Sequence, residues 1–452
     1  MMDGNATIVL DIGKTNVKLT LLDADGTTLA AQRMPNAIAV GGPYPHHDTE
    51  RIWRWMLATF AIFSRLATVG AIVPVTHGAT AALIDADGLL LPILDYESAL
   101  PEQIDALYGA VRPSFSQTYS PALPAGLNLG RQLVWLSNNF PAEFARAECI
   151  LMYPQYWAWR LCGVAASEVT SLGCHTDLWQ PVTQQYSSLV ERMGWREMFP
   201  PMQLAWKPLG LLRAGLANAT GLPADCKVLC GIHDSNASLL RYLGTGAGTV
   251  LSSGTWLIAA AFGTPLGQLD EQSDMLANVN VLGEPVACMR FMGGREFSHL
   301  AGEAPVVCTP ADIAHLIARG TCALPCFAES GGPFSGMTAA ITGPAPASSQ
   351  EKYALATLYC ALMTDYCLDA LAATGPVVIE GSFTGNPHFA ALIAALRPAH
   401  TVSESDDGSG TTCGGWLLHH WGRSLRAPAS AAIPSNIAGL QQYRSRWRAS
   451  LE

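Results

Sequence analysis

The sequence predicts an α/β protein made of two related domains. Apolar runs of strand length alternate with helix-like stretches in both halves, a pattern typical of sheets covered by helices. A strand–turn–strand segment, Ile8 to Gly26 (IVLDIGKTNVKLTLLDADG), recurs in outline at Gly248 to Gly263 (GTVLSSGTWLIAAAFG). The chain has 452 residues, too many for one ordinary core, and 49% of them are hydrophobic. Together these observations indicate a duplicated architecture with a central cleft between the halves.

The composition argues against several classes of partner. The formal net charge is −10, whereas a protein that binds the nucleic-acid backbone normally needs a basic face. The N-terminus lacks a basic segment followed by an apolar one, and no apolar run approaches the roughly 20 residues that span a bilayer. We therefore expect no nucleic acid, no membrane partner and a cytoplasmic location.

The 12 cysteines are scattered singly along the chain. This spacing favours reduced thiols over a disulfide framework. The one close pair, Cys322 and Cys326, has no second pair at zinc-finger spacing, so we expect no zinc site there.

In the first half, the hairpin of Ile8 to Gly26 is followed by further predicted elements. Strands are expected at Ala71 to Val75 and Ala82 to Ile84, and helices at Arg131 to Asn138 and Gln155 to Leu161. The alternation of strand and helix is that of an α/β domain.

The second half repeats this alternation. A helix is predicted at Tyr353 to Thr374, a strand at Val377 to Ile379 and a helix at Pro387 to Leu396. The Gly-rich segment Ser405 to Gly415 is expected to be a surface turn or a ligand-facing loop.

The first candidate site is Asp11 with the turn Gly13-Lys14-Thr15-Asn16. Mg²⁺ prefers oxygen ligands and keeps several waters, so one carboxylate and the phosphate oxygens of a nucleotide are enough to hold it. Gly13 lets the backbone approach closely, and Lys14 adds a point charge. An ordinary hairpin with polar turn residues explains the same pattern, and an exposed turn lysine explains Lys14.

The second candidate turn, Ser252-Ser253-Gly254-Thr255, offers hydroxyls and N–H groups to a phosphate. A plain hairpin is again the alternative. Neither turn matches the P-loop or the dinucleotide-binding fingerprint. We place the domain boundary just before this turn, near Arg241 to Gly246.

His233-Asp234 follows a strand-like run that ends in Gly231 and precedes a helix-like stretch, Asn236 to Tyr242. A carboxylate at a helix start is stabilised as an anion, and Asp234 is also a candidate N-cap. The functional hypothesis is that Asp234 accepts the proton of a substrate hydroxyl while His233 fixes the sugar. A simple capping aspartate is the alternative.

Gly381-Ser382 lies where a buried strand turns into a helix. There an adenine or ribose can lie flat against the backbone, although a generic strand–helix loop explains the pattern as well. The pair His46-His47 beside Asp48 is a weak metal-site pattern, and we interpret it as a solvated surface loop.

Taken together, these segments resemble the FGGY family of carbohydrate kinases, within the superfamily of sugar kinases, actin and chaperone ATPases. Asp11 to Asn16 are similar to the family's first phosphate motif, and Asp234 falls on its catalytic base. The other matches are the second phosphate motif at Ser253-Gly254-Thr255, the adenosine motif at Gly381-Ser382 with Asn386, the following helix start at Gly410 to Leu418, the sugar-side loop at Thr76 to Gly88 and the segment that closes over the sugar at Arg131 to Gly163.

The resemblance implies a ribonuclease-H-like, actin-like ATPase core in each half. A sugar would be bound mainly by residues 1–241 and ATP mainly by residues 242–452. The implied reaction is phosphorylation of a sugar hydroxyl with Mg²⁺ and ATP, and the sugar is best matched by a ketose, either a pentulose or a 6-deoxyhexulose. Asp11 would hold the metal ion. The implied substrate contacts are His77, Gly78, Gln155, His233 and Asp234. The implied ATP contacts are Gly13, Lys14, Thr15, Asn16, Ser253, Gly254, Thr255, Gly381, Ser382 and Asn386.

Four residues depart from the family pattern. Lys14 stands where many members carry Thr, and Gln155 stands where a Pro-x-Asp pattern would put a carboxylate. Trp256 and Phe383 replace small residues next to the second phosphate turn and the adenosine motif. These departures leave the identity of the sugar open.

Two other classes of function fit the same scaffold. One is an actin-like binding protein with slow ATP hydrolysis, and the other is a nucleotide-gated sugar sensor with little kinase activity. The Trp-rich segment Arg51 to Met56 suits either a core or an interface, so a homodimer is also left open.

Overall fold

The computed structural model describes residues 6–302, 306–328, 330–405, 408–423 and 429–451. The chain divides into two compact units. Unit 1 comprises Met1–Arg241, Ala277–Pro285 and Ser409–Leu425, and unit 2 comprises Tyr242–Leu276, Val286–Gly408 and Arg426–Glu452. Unit 1 is therefore completed by two short segments from the second half of the chain.

The elements up to residue 241 are as follows. The strands are β1 (Ala6–Ile12), β2 (Asn16–Leu22), β3 (Thr28–Pro35), β4 (Ile38–Ala39), β5 (His46–His47), β6 (Val69–Thr76), β7 (Ala81–Asp85), β8 (Gly88–Leu89), β9 (Cys149–Met152), β10 (Trp179–Gln180), β11 (Gln185–Tyr186), β12 (Pro208–Leu211), β13 (Lys227–Leu229) and β14 (Ile232–His233). The α-helices are α1 (Thr49–Phe63), α2 (Gln103–Val111), α3 (Phe115–Thr118), α4 (Leu129–Asn139), α5 (Pro141–Arg146), α6 (Tyr153–Cys162), α7 (Val169–Leu172), α8 (Ser188–Met193), α9 (Ala214–Thr220) and α10 (Asp234–Leu240).

The elements after residue 241 continue the numbering. The strands are β15 (Thr249–Ser253), β16 (Leu257–Phe262), β17 (Met275–Val279), β18 (Pro285–Phe291), β19 (Cys322–Leu324), β20 (Ala340–Thr342), β21 (Val377–Gly381), β22 (Val402–Ser405) and β23 (Ser430–Ala431). The α-helices are α11 (Gly293–Ala301), α12 (Pro310–Arg319), α13 (Ser349–Ala370), α14 (Phe389–Leu396), α15 (Gly410–His419) and α16 (Leu440–Ala449).

The main sheet of unit 1 has the strand order β12-β13-β6-β1-β2-β3, and β14 also pairs with β6. Strands β1, β2 and β3 are antiparallel neighbours, whereas β6 runs parallel to β1 and β14 parallel to β6. Ile12 pairs with Thr76, and Thr76 pairs with His233. Because parallel strands end at the same edge of a sheet, the residues that follow β1, β6 and β14 meet there.

Unit 2 repeats this arrangement. Its sheet has the order β17-β18-β16-β15-β21-β22-β23. Strands β18, β16 and β15 are antiparallel neighbours, and β21 and β22 continue the sheet in parallel. Ser253 pairs with Gly381, so the second turn and the predicted adenosine motif lie at one edge. Three antiparallel strands followed by two parallel ones in each unit confirm the predicted duplication.

Apolar side chains from the sheet and its covering helices form the cores. In unit 1 one cluster joins β1, β2 and β6 to α1 and α6, with Phe60 and Trp157 fully buried. A second cluster packs Leu133 of α4 and Leu189 of α8 beneath β7 and β9. In unit 2, α13 is buried over most of its length. Among the described residues, no helix is long and apolar enough to cross a membrane.

Most predicted elements are confirmed, and α13 differs at its end. It stops at Ala370, before the predicted Thr374, and Ala372 then adopts a left-handed backbone with φ of 49°. The 12 cysteines are free thiols, as expected.

Two predictions about exposed segments were wrong. In the segment Ser405 to Gly415, residues 406 and 407 lie outside the described part, but Gly410 onward forms α15, and Thr412–Gly415 are buried. A Cβ at Gly414 would overlap the Ala237 carbonyl, so this glycine permits close helix packing and not a turn. His47 is also buried, in β5, because its ring packs against His77 and Tyr153.

Candidate active site

The first turn closes tightly between β1 and β2. The Gly13 N–H donates to the Asn16 carbonyl at 2.9 Å. Asn36 supports the turn from outside, since its Nδ2 donates to the Gly13 carbonyl and its backbone N–H to the Thr15 carbonyl. The side chains of Thr15 and Asn16 remain exposed. The turn therefore presents small polar groups on a fixed backbone.

Asp11 is a mostly buried carboxylate beside this turn. Thr411 of α15 donates to its Oδ2 at 2.7 Å, and Lys18 faces it across the hairpin. Burial, with a smaller contribution from the charge of Asp234, raises the pKa of Asp11 to about 6, although Thr411 and Lys18 oppose the rise. Oδ1 has no such partner among the described contacts, which suits a carboxylate that holds a hydrated Mg²⁺ through one oxygen.

Among the described residues, no group of three or more His, Cys, Asp or Glu side chains is arranged to hold a metal ion. A cation at Asp11 would therefore need water and phosphate oxygens as its other ligands. Mg²⁺ accepts this coordination, so the residues fit a nucleotide-bound Mg²⁺ better than a protein-caged metal.

Lys14 has partners of its own. Its ammonium forms an ion pair with Asp95 and a second with Glu97 at 3.4 Å, and it lies 4.9 Å from the centre of the Tyr96 ring. The predicted phosphate contact of Lys14 stays a prediction, and the structure assigns the charge to two carboxylates.

Asp234 is the first residue of α10, so His233 occupies the N-cap position and the predicted N-cap at Asp234 was wrong. The reason is that β14 extends to His233. The Asp234 side chain is 27% exposed, and His233 Nε2 lies 3.2 Å from its Oδ1. Burial raises the pKa of Asp234, and the backbone and hydroxyl of Ser235 together with His77 oppose the rise.

The histidine next to this carboxylate is held as a neutral donor. Burial lowers the pKa of His233 to about 4. Asn236 Nδ2, which can only donate, lies 3.3 Å from His233 Nδ1, so the proton of the neutral ring is on Nε2 and points to Asp234. A Cβ at Gly78 would lie 2.8 Å from Nε2, so glycine is needed there.

The buried Glu168 supports the same segment from behind. Its Oε2 accepts from the Thr170 hydroxyl at 2.6 Å, and that hydroxyl accepts from the His233 N–H at 3.1 Å. Burial raises the pKa of Glu168 to about 7. The backbone of His233, next to Asp234, is therefore held by a connected set of hydrogen bonds.

His77 follows β6 and is also neutral. Burial lowers its pKa to about 4, and its Nδ1 lies 3.0 Å from the Gly78 carbonyl, which places the proton on Nδ1. Nε2 is then an acceptor and has no partner among the described residues. Gln155 is fully buried, and its amide donates to the Cys230 carbonyl at 3.0 Å. Gln155 thus braces the chain just before His233.

The second turn, in unit 2, is held mainly by backbone. The Gly254 N–H donates to the Trp256 carbonyl at 2.8 Å. The Ser253 hydroxyl is used internally, because it donates to the Glu380 carbonyl and accepts from the Phe383 N–H. The Thr255 side chain is exposed. Among the predicted phosphate contacts of this turn, Thr255 has the exposed side chain, whereas the Gly254 N–H and the Ser253 hydroxyl are bonded within the protein.

A cavity of about 310 Å³ lies beside the predicted adenosine motif in unit 2. Ser382, Phe383 and Asn386 line it together with Phe297 and Tyr353. Asn386 is fixed by its Nδ2, which donates to Thr357 Oγ1 at 2.9 Å. The volume is that of a small-ligand pocket, and Phe383, a departure from the family pattern, contributes one of its walls.

Sequence reasoning missed several residues of these sites. Thr411 lies 400 residues from Asp11, so no local pattern connects them. Asp95 and Tyr96 were overlooked because no motif marked them. Phe297 and Tyr353 line the cavity from α11 and α13, and their signal was only that of apolar helix positions.

The fold places the protein in the class of actin-like ATPase folds. A carbohydrate kinase from Novosphingobium aromaticivorans superposes with a TM-score of 0.93 at 37% sequence identity, covering 98% of this chain and 100% of that one. A ligand-bound xylulose kinase from Lactobacillus acidophilus superposes with a TM-score of 0.82 at 15% identity, covering 98% and 97%. The second likeness shows the fold alone.

Two family models match the chain. The model of the N-terminal domain of the FGGY family of carbohydrate kinases matches residues 6–241, and that of the FGGY C-terminal domain matches residues 245–427. The protein belongs to the FGGY family of carbohydrate kinases. An L-fuculokinase from Salmonella typhi is 29% identical over 281 residues, which are 57% of this chain and 56% of that protein. The similarity thus spans about half the length of that curated relative.

Proposed function

We propose that this protein transfers the terminal phosphoryl group of Mg²⁺-ATP to a hydroxyl of a ketose, either a pentulose or a 6-deoxyhexulose. The observation that carries the proposal is the Asp234 carboxylate, partly exposed at the start of α10 and oriented by His233 Nε2–H. Phosphoryl transfer needs alignment and charge stabilisation more than covalent help, and a positioned carboxylate supplies the acceptor for the hydroxyl proton.

Asp234 would act as the general base. Burial raises its pKa, which makes it a better proton acceptor than an ordinary surface aspartate, while the hydrogen bonds from Ser235 favour its ionised form. His233 holds one carboxylate oxygen, so the other is left to orient the attacking hydroxyl. His77 Nε2, an unpartnered acceptor, is suited to a second sugar hydroxyl. Gly78 leaves space for the His233 ring. Gln155 supports the sugar site indirectly, because its amide donates to the backbone carbonyl of Cys230, just before His233.

Asp11 would hold Mg²⁺ through water, and the bound ion would neutralise charge on the transferring phosphate. In unit 1, the exposed side chains of Thr15 and Asn16 offer donors to the phosphates, and Gly13 shapes the turn with its own N–H bonded to the Asn16 carbonyl. In unit 2, Thr255 offers a donor, while Gly254 and Ser253 support the turn internally. Gly381, Ser382 and Asn386 would receive the adenosine at the cavity that Phe297 and Tyr353 line.

The choice of a ketose is supported by relatives and by the His-Asp pair. The curated relatives include L-fuculokinases and a rhamnulokinase, and the structural neighbours include xylulose kinases. These names describe those proteins. ADP release across a sugar panel identifies the ketose that reacts, and the coupling of the product's phosphorus signal to carbon-bound protons identifies the hydroxyl.

The test is ADP release with Mg²⁺-ATP across ketoses, aldoses and polyols, comparing wild type with Asp234→Asn. We expect a sugar-dependent rate that falls on the order of 10²- to 10⁴-fold in the variant, the usual contribution of one general base. Asp312→Asn is the matched control, because Asp312 also lies in the first turn of a helix, in a capping box of unit 2, and does not line the cavity beside the adenosine motif.

Near-wild-type turnover in Asp234→Asn would rule out the assigned base. No stimulation by any sugar, with nucleotide binding intact, would favour the alternative of a sugar sensor or an actin-like binding protein with little kinase activity.

A further inference from the structure

The sugar-side surface of unit 1 carries a second group of charges next to the proposed base. The group consists of Lys14, Asp95 and Glu97 around the Tyr96 ring, and we call it the Lys14 cluster. Asp95 is 6% exposed and also accepts from the Ser98 hydroxyl at 2.8 Å. A buried carboxylate with these partners holds the lysine ammonium in one place.

Ring contacts connect this cluster to the base. The Tyr96 ring lies 5.3 Å from the ring of His77, and the charge of Asp234 acts on both side chains. The charge of Lys14 acts on His77 as well. The cluster therefore lies within electrostatic range of the place where a sugar would meet Asp234.

The Lys14 cluster and Asp234 together carry a negative net charge. Lys14 contributes one positive charge, and Asp95, Glu97 and Asp234 contribute three negative ones. The neighbouring histidines add none at neutral pH, because burial lowers the pKa of His77 and of His233 to about 4. Arg131, on the neighbouring helix α4, is likewise paired, through Nη2 to Asp105 Oδ1 at 2.5 Å.

We infer that the Lys14 cluster determines specificity by rejecting sugar acids, so that the substrate is a neutral ketose or polyol and not an aldonate or keto-aldonate. The inference rests on the proposed function. A free lysine at this position would attract a substrate carboxylate, whereas a lysine already neutralised by two carboxylates leaves the carboxylate of a sugar acid facing net negative charge. A neutral sugar meets no such repulsion.

Two substitutions can reverse the net charge of the Lys14 cluster. Asp95→Asn with Glu97→Gln keeps the shapes of both side chains and removes both negative charges, which leaves Lys14 as an unneutralised cation. Glu97 is 59% exposed, so Glu97→Gln alone is a mild change that serves if the double variant fails to fold.

The experiment measures kcat/KM for matched pairs in which only a CH2OH group is replaced by a carboxylate, such as xylulose with 2-keto-xylonate and glucitol with gluconate. We expect wild type to prefer the neutral member at least on the order of 10-fold, and the acid-to-neutral ratio to rise on the order of 10-fold in the double variant. Adding Lys14→Met to the double variant should remove that rise.

A wild-type preference for the acid, or an acid-to-neutral ratio unchanged in both Glu97→Gln and the double variant, would overturn the inference and leave the proposed function standing. A lack of turnover with every sugar would overturn the proposed function, and this inference with it.

Discussion

The two predicted phosphate turns share a hairpin scaffold but are stabilised in different ways. The turn of unit 1 is flanked by ionisable groups, with Asp11 before it and Lys14 within it, and side chains from Asn36 and Thr411 hold it. The turn of unit 2 has no charged residue between Ser252 and Trp256, and close backbone packing against β21 fixes it. The comparison indicates that a duplicated hairpin has kept its geometry while charge is concentrated in one copy.

In the proposed function, this difference in charge gives the two turns different roles. A hydrated cation needs a carboxylate, which only the first of the two turns carries, whereas phosphate oxygens need donors, which both turns offer. Substitutions that remove charge should therefore matter most in the first turn. Substitutions that crowd the backbone should matter most in the second.

The largest expected effect comes from Asp11→Asn. Loss of the negative charge removes the hold on Mg²⁺, so we expect turnover to fall on the order of 10²-fold or more, with a raised KM for Mg²⁺. The matched change in the second turn, Thr255→Val, removes one neutral hydrogen bond and should cost about 10-fold. Steady-state kinetics with varied Mg²⁺ measure both. Equal losses in the two variants would contradict the division of tasks.

The next largest expected effect is on the free energy of unfolding, when a side chain is added at a glycine beside each turn. Gly381 has φ of 89°, and a Cβ there would overlap the Ser253 carbonyl. We expect Gly381→Ala to lower the free energy of unfolding by about 2–4 kcal/mol. At Gly13 a Cβ would lie 3.2 Å from the Asn16 carbonyl, and φ is not positive, so Gly13→Ala should cost less than about 1 kcal/mol.

Urea unfolding followed by circular dichroism compares these two glycine variants. Their order is the informative result. A larger loss for Gly13→Ala than for Gly381→Ala would show that the backbone of the first turn is the more constrained of the two.

The smallest expected effect concerns the hydrogen bond from Thr411 to Asp11, which influences the pKa of Asp11. The Thr411 hydroxyl lowers the pKa of Asp11 against the effect of burial, so Thr411→Val should raise that pKa by about one unit. In the proposed mechanism activity requires the ionised Asp11 carboxylate, and this form is lost as the pH falls through about 6 in wild type. The acid limb of kcat/KM should therefore move to higher pH in Thr411→Val.

Thr411→Ser keeps the donor and is the control for that shift. Its acid limb should coincide with that of wild type. If both variants move the limb equally, the hydroxyl does not set the ionisation of Asp11, and the effect is one of packing.

The two turns also show how far the sequence could predict this molecule. Both hairpins were predictable because alternating apolar positions and a Gly-containing turn are local signals. The positions of Asp11 and Asp234 were predictable, since Asp11 lies at the end of β1 and Asp234 directly follows β14. The carboxylate that holds Lys14 was not, because Asp95 is 81 residues away and lies in no recognisable motif.

Two further misses have the same origin. Ser405–Gly415 was expected to be a surface turn or a ligand-facing loop because glycines usually mark turns, but from Gly410 onward the glycines allow α15 to pack closely on α10, in agreement with the helix start that the family resemblance implied. His47 was expected on the surface because it lies in a polar tripeptide, yet its partners His77 and Tyr153 come from distant segments. Local composition cannot report contacts that the tertiary fold creates.

The most direct test of the central claim is phosphorus NMR of the product formed from Mg²⁺-ATP and the best ketose of the panel, using wild type and Asp234→Asn at equal concentration. Our account predicts a new phosphomonoester signal for wild type, coupled to the protons of the phosphorylated carbon, and its near absence for the variant. New signals from ADP and inorganic phosphate alone, or equal amounts of the phosphomonoester in both samples, would contradict it.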